Sequence, residues 1–236
     1  MSTRVLRRGG SLPAGAEKRG AVESMFDRVA PGYDRMNRVI SLGLDRRWRR
    51  RTVDALELPA GSRVLDLGCG TGDLCRDLAA AGCAPVGIDF SAGMLARAHV
   101  DAPLVRGDAG QLPFEAAAFD GVVCGFAFRN FVDLAGVLAE CARVLHPGGR
   151  LAALDAAVPE HPILRAGNAL WFRGAVPLLG RVLTGDRDAY RYLPKSTAYL
   201  PPARSLIAEL GDAGFTAVRR TTMTGGSIQL LTGTRA

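Results

Sequence analysis

The chain has 236 residues, 48% of them hydrophobic, and a formal net charge of +7. That length suits one α/β domain with an appendage better than two full domains. No apolar run approaches the roughly 20 residues that cross a bilayer, and no signal-peptide core follows the N-terminal arginines, so a soluble, cytoplasmic protein is expected.

Residues 1–20 are basic, rich in glycine and small side chains and without period, which predicts a flexible leader. Residues 21–58 turn helical, with Met25, Phe26, Val29, Tyr33, Met36, Val39 and Ile40 at helical spacing and a later helix carrying Trp48, Val53 and Leu56. This stretch reads as a lid ahead of the main domain, which starts after Pro59-Ala60-Gly61 and runs through 59–236. Within the lid, Asp45 to Arg51 sets five arginines around Trp48. Such a cluster suits an anionic lipid surface or nucleic acid, and equally suits a solvated helix face. No RNA-binding motif supports nucleic acid, whereas contact with a membrane surface stays open, as does a homodimer.

Strand and helix patterns then alternate. Arg63 to Leu67 is a strand and Asp73 to Ala81 its helix; Pro85 to Asp89 is a strand, and Ala92 to Val100 a helix capped by Ser91. Pro103 to Arg106 leads to Gly107-Asp108, Phe119 to Gly125 is a buried strand, Asp133 to Leu145 a helix, and Arg150 to Asp155 a strand after the Pro147-Gly148-Gly149 turn. Residues 159–200, with Ile163, Leu164, Leu170, Trp171, Phe172, Leu178, Leu179 and Leu183 among prolines and glycines, read as a helical insertion over the active face. Pro202 to Ala213 is a helix stopped by Gly214, and Phe215 to Met223 with Ser227 to Thr232 form a closing hairpin. The pattern predicts an α/β fold with a doubly wound, mostly parallel, seven-stranded sheet. The five cysteines show no CxxC pair and no histidine stands at zinc spacing, which argues against a metal site or a disulfide framework.

Chemistry gathers at Val64 to Asp73, VLDLGCGTGD, where a strand meets a glycine turn, and at Asp89 ending the next strand. In open parallel sheets ligands lie beyond the carboxyl ends of strands, and a carboxylate there can hold two ribose hydroxyls. A dinucleotide fingerprint would follow Gly68 and Gly70 with a third glycine where Asp73 stands. Asp66 and Asp73 flank the turn and would repel a pyrophosphate, but suit a donor bearing ammonium and sulfonium groups. That donor is S-adenosyl-L-methionine, its amino-acid moiety on the Gly68, Gly70, Thr71 and Gly72 backbone and its ribose on Asp89. Asp66 and the later Asp108 stand in register with this site.

Several strings line up with one family. VLDLGCGTGDL, GDAGQLPFEAAAFDGVV and CARVLHPGGRL resemble class I methyltransferases. MFDRVAPGYDRMNRVISLGLDRRWRR, FAFRN at Phe126 to Asn130, DAYRYLPKS at Asp188 to Ser196 and TGG at Thr224 to Gly226 resemble the ubiquinone/menaquinone C-methyltransferase family, from about Val22 to Gly233. The resemblance implies methylation of a ring carbon in a prenylated quinol. It assigns the cofactor to Thr71, Asp89 and the Asp108-Ala109 pair, with Phe90 and Met94 beside them. Gly125 stands where the family usually has serine, Phe128 where it has an aliphatic residue, and Ala156-Ala157 where it shows Phe-Ser. Lys195 replaces an acid, and Leu231 a histidine.

A quinol carbon becomes nucleophilic as its neighbouring hydroxyl loses a proton, and a phenol pKa near 10 keeps that anion scarce at neutral pH. The resemblance therefore casts Arg129 as the cation beside the developing phenolate, with Asn130 orienting a ring oxygen. Arginine stays protonated, so water or Asp155 is the expected base. Without the resemblance, Arg129 would pair with Asp133 or cap its strand. Tyr33 and Tyr192 are pocket candidates or core aromatics, while Trp171 and Phe172 are read as packing. Two alternatives remain at this point: methylation of a small aromatic or polyketide phenol, and a non-catalytic scaffold that binds the cofactor.

Overall fold

The computed structural model describes residues 15–176, 178, 196 and 200–236. Seven strands form one sheet in the order β3-β2-β1-β4-β5-β7-β6. They are β1 (Arg63–Leu67), β2 (Ala84–Asp89), β3 (Leu104–Arg106), β4 (Phe119–Gly125), β5 (Leu145–Ala156), β6 (Phe215–Met223) and β7 (Ile228–Arg235). The first five pair in parallel, whereas β7 runs antiparallel to both β5 and β6. The order reverses between β1 and β4, so their carboxyl ends form the crevice where open α/β sheets place ligands.

Both central strands are apolar on each face because helices cover both sides. One core packs Leu65, Leu67, Val122 and Cys124 with Val137, Leu138 and Cys141 of α6 (Leu134–Val144); the other packs Val64, Val123 and Leu154 with Leu74 and Leu78 of α4 (Asp73–Ala80) and with Trp48 of α3 (Asp45–Asp54). The predicted Pro147-Gly148-Gly149 turn lies inside β5, as an irregularity where the pairing passes from Phe119↔Leu145 to Gly121↔Arg150.

The N-terminal stretch read as a lid forms α1 (Gly15–Val29), α2 (Tyr33–Ile40) and α3, with the first break at Pro31-Gly32. α1 begins inside the stretch read as leader, because tertiary contacts hold it there: the Lys18 Nζ donates to the Phe131 carbonyl at 2.5 Å and Arg19 pairs with Asp108. A third cluster joins Val22, Met25, Val29 and Met36 to Val176, with Trp171 and Phe172 against it. The insertion enters as α7 (Pro162–Leu170) and a π turn at Trp171–Ala175, and after the undescribed residues α8 (Ala203–Asp212) returns to the sheet. Leu179, Leu183, Tyr192 and Lys195 lie outside the described residues. The helix after β2 is α5 (Ala92–Leu95), shorter than expected. Ser91 does cap it, accepting from the Met94 N–H at 3.1 Å.

Candidate active site

β1 runs out into Gly68, Gly70 and Gly72, all at positive φ. A methyl group at Gly68 would fall 2.9 Å from the Ala127 Cβ, and one at Gly72 2.7 Å from Val100 Cγ1. Only bare backbone fits there. Behind the turn, Asp66 is 1% exposed; one carboxylate oxygen accepts from the Cys75 thiol at 3.3 Å and the other, Oδ1, has no partner. Burial, with Asp89 nearby, pushes the Asp66 carboxyl up to about 7. A buried acceptor left unpaired costs roughly 1–3 kcal/mol, and a cationic group would satisfy it. Asp89 accepts from the Gly70 and Ser91 N–H groups, each at 2.8 Å, which oppose the upward push of burial on its pKa.

Asp73 departs from its sequence reading. Arg49 lies 3.0 Å from it and Arg76 also pairs with it, so its charge is matched. The same Arg49 holds Asp45 at 2.7 Å and Asp77 at 2.8 Å, pinning α3 to α4. The uncompensated acidity of the turn therefore comes from Asp66 and Asp89.

At the end of β4, Phe126 takes a left-handed backbone (φ 59) that is strained for a residue with a side chain. This aims its carbonyl at the following short turn, Phe128–Asn130, where it accepts from Arg129 Nη1 at 2.7 Å and Asn130 Nδ2 at 3.4 Å. Arg129 is buried, donates through Nε to the Ser196 hydroxyl at 3.0 Å, and forms an ion pair with Asp155. Asp155 also accepts from the Arg129 backbone N–H at 3.1 Å and the Ala156 N–H at 2.7 Å. With both oxygens committed and no place on the cavity wall, Asp155 anchors Arg129 and is not positioned as the expected base. Asp133, the alternative partner, instead caps α6 through the Gly136 N–H at 3.0 Å.

A cavity of about 330 Å³ joins these two regions. Asp66, Gly68, Gly70, Thr71, Gly125, Arg129, Asn130 and Tyr33 all line it, so the structure brings together those expected site residues. Burial raises the Tyr33 phenol pKa, while an Asn37 hydrogen bond and the Arg129 charge pull it down. Gly72, Asp89, Phe90, Met94, Asp108 and Ala109 lie outside its wall. Phe90 stacks edge-on with Phe26 at 6.5 Å, Met94 reaches under Gly70, and Ala109 joins the core. Lid helices reach these loops through two carboxylates: Asp34 accepts from the Thr71 hydroxyl at 2.6 Å, and Asp27 from the Ser91 hydroxyl at 2.6 Å and the Gly93 N–H at 3.0 Å.

The sequence of residues 14–235 matches the profile of the ubiE/COQ5 methyltransferase family. The chain belongs to that family. It is 44% identical over 216 residues to a demethylmenaquinone methyltransferase of Roseiflexus sp. (strain RS-1), covering 88% of this chain and 90% of the relative. It is 41% identical over 220 residues to the Thermus thermophilus protein of the same name, covering 89% and 100%. Among solved structures, a chain from the complex of the Haloferax volcanii Trm112 methyltransferase activator with a methyltransferase superposes with TM-score 0.65 at 19% identity, over 89% of this chain and 96% of that one. A SAM dependent methyltransferase from Aquifex aeolicus gives 0.58 at 17%, over 80% and 89%. These two likenesses show the seven-stranded methyltransferase fold.

Two departures from the family strings do not reach the cavity. Phe128 is 3% exposed and packs on Phe131 at 6.0 Å, and Leu231 is 1% exposed in the core. Ala156 and Ala157 do line it. A side chain at Gly125 would meet Leu74 Cδ1 at 2.7 Å, so Leu74 occupies the space a serine would need. Phe172, expected only to pack, lines the cavity, whereas Trp171 donates its Nε1–H to the Ile40 carbonyl at 3.2 Å. Sequence reasoning missed Asn37, Ser41, Asp45, Arg49, Arg165 and Asn168 on the wall. For Asp45 and Arg49 a signal existed, the i,i+4 spacing of opposite charges on one helix. Burial pushes the Asp45 carboxyl up, but bonds from Ser41 and Arg49 outweigh it and hold it below the usual range.

Proposed function

We propose that this methyltransferase uses S-adenosylmethionine to methylate a ring carbon of a demethylmenaquinol-type prenylated quinol. The observation that carries this reading is a cavity with a buried carboxylate, Asp66, one of whose oxygens has no partner, on one wall and a buried guanidinium, Arg129, on another. The names of the relatives support the acceptor.

The residues present fit the donor. The glycine turn offers backbone that no side chain can replace, and the orphan Asp66 oxygen suits the ammonium of the amino-acid moiety. The family resemblance assigns the ribose to Asp89, with Phe90 and Met94 beside it, and the adenine to Asp108-Ala109; these residues lie off the cavity wall, Asp89 held by the Gly70 and Ser91 N–H groups and Asp108 by Arg19, so the observed fit is that of the amino-acid moiety. When bound, the donor supplies a methyl group activated by its sulfonium for in-line transfer. Arg129 stabilises the developing phenolate of the acceptor ring, at an orientation fixed by Asp155 and the Phe126 carbonyl. Asn130 and Tyr33 orient ring oxygens. Because Arg129 keeps its proton and Asp155 is committed, the hydroxyl proton leaves to water, and after methyl transfer the hydrogen on the methylated carbon leaves as a proton while the ring oxygen regains one, which restores the aromatic quinol.

The test is turnover of labelled donor with demethylmenaquinol against a panel of tail-less phenols. Methylation of the quinol and not of the phenols is expected; the opposite selectivity overturns the acceptor. Arg129→Ala should abolish turnover while adenosylhomocysteine still binds, and full activity in that variant removes Arg129 from the chemistry.

A further inference from the structure

α7 separates two environments. Its inner side chains Arg165, Asn168 and Ala169 line the cavity, while on its outer side Ile163 and Leu170 are 75% and 76% exposed. Between them on that side stands Gly167, with open space where a Cβ would be. Leu178 continues the apolar exposure at 63%, and Val158, on the cavity wall, is 51% exposed. The bond from Trp171 to the Ile40 carbonyl sets the turn at 41–44 beside the end of this helix, and Leu42 in that turn is 71% exposed.

Isolated exposed leucines are ordinary, but a contiguous apolar face needs an occupant. The charge around it selects one. Arg38, Arg46 and Arg47, flanking the Leu42 turn, are exposed and make no ion pair among the described residues. Among the described residues the neighbouring acids are already engaged: Asp45 with Ser41 and Arg49, and Glu160 with Arg220 at 3.6 Å. A second copy would bring the same arginines face to face. We propose that the outer face of α7 and the Leu42 turn dock on a bilayer surface rich in anionic lipid, with leucine and isoleucine side chains entering the acyl boundary and the arginines meeting headgroup phosphates. The purpose of such docking rests on the quinol reading, since one helix then borders both the bilayer and the cavity; the docking itself does not.

Flotation of the full chain with vesicles separates the outcomes. Vesicles of phosphatidylcholine with phosphatidylglycerol should carry the protein, pure phosphatidylcholine should not, and added salt should weaken the binding. Ile163→Gln with Leu170→Gln should lower vesicle affinity about tenfold or more, with turnover of a short-tailed, water-soluble quinol and the melting temperature unchanged. Leu42→Gln, on a separate element, provides the second variant should the first be misfolded. Absence of binding to anionic vesicles, or binding indifferent to both variants, overturns the proposal, as does a dimer in solution that these variants dissociate. Vesicle binding without methylation of any quinol would instead refute the quinol reading.

Discussion

Arg129 and Asp155 form an ion pair withdrawn from solvent, 5% and 2% exposed. Removing one partner leaves an unmatched charge in a low dielectric, at a cost of about 3–5 kcal/mol. Asp155→Ala should therefore lose roughly that much stability in urea denaturation and most of its turnover, since this carboxylate holds both the guanidinium and the backbone N–H of Arg129. The double variant Arg129→Ala, Asp155→Ala should recover part of the stability and none of the activity. A double-mutant cycle with additive stability losses would show that the pair is not coupled.

Asp66 makes folding and donor binding depend on pH in opposite senses. Its carboxyl titrates near 7 in the fold, against about 4 in an unfolded chain. Between those values the folded state carries the extra proton, so its contribution to stability is complete below about pH 4 and is lost as pH rises towards 7. Asp66→Asn should flatten that decline. A cationic donor favours the ionised carboxylate, so binding below pH 7 should release a proton and tighten as pH rises through 7. Calorimetry in two buffers of different ionisation enthalpy measures this release, and its persistence in Asp66→Asn would assign it elsewhere.

Arg49 carries the contact between α3 and α4. With three carboxylates on one guanidinium and a side chain 13% exposed, Arg49→Ala should lower stability by about 1–3 kcal/mol. Adding Asp73→Asn should restore part of it by relieving the remaining repulsion. Arg49→Lys should fall short of the native protein because an ammonium lacks the fork that spans several acids. Thermal melts of the three variants decide the matter.

Gly68→Ala tests the cradle. The residue sits at φ 71 with Ala127 Cβ 2.9 Å from the new methyl, and such a conformation costs about 1–3 kcal/mol. Adenosylhomocysteine affinity should drop more than tenfold, read by calorimetry, with the sheet intact by circular dichroism.

Short apolar runs and capping were legible where local chemistry decides the outcome. β1 and β4 occupy the expected residues, and Ser91 caps α5 as its hydroxyl predicts. α5 ends early because a distant packing demand wins: Ala98 and Val100 leave the helix to lie over Gly72, and Arg76 fixes the His99 carbonyl at 3.1 Å. The helical start at Gly15 was hidden for the same reason, since Lys18 finds its acceptor 113 residues away. In the site, the glycine turn and its acids could be read as a string, as could Arg129-Asn130. The partners of those residues could not: which carboxylate meets Arg129, and that Arg49 neutralises Asp73, depend on contacts between elements far apart in sequence.

The lid contributes to both ends of the cavity. Asp27 and Asp34 reach the loops after β2 and β1, while Tyr33 and Asn37, from the same stretch of chain, border the space near Arg129. Redesign of this enzyme for other rings therefore has no insulated acceptor half to work on: a change in α2 that widens the space for a new ring will also shift the grip on the donor, and the two affinities have to be followed together.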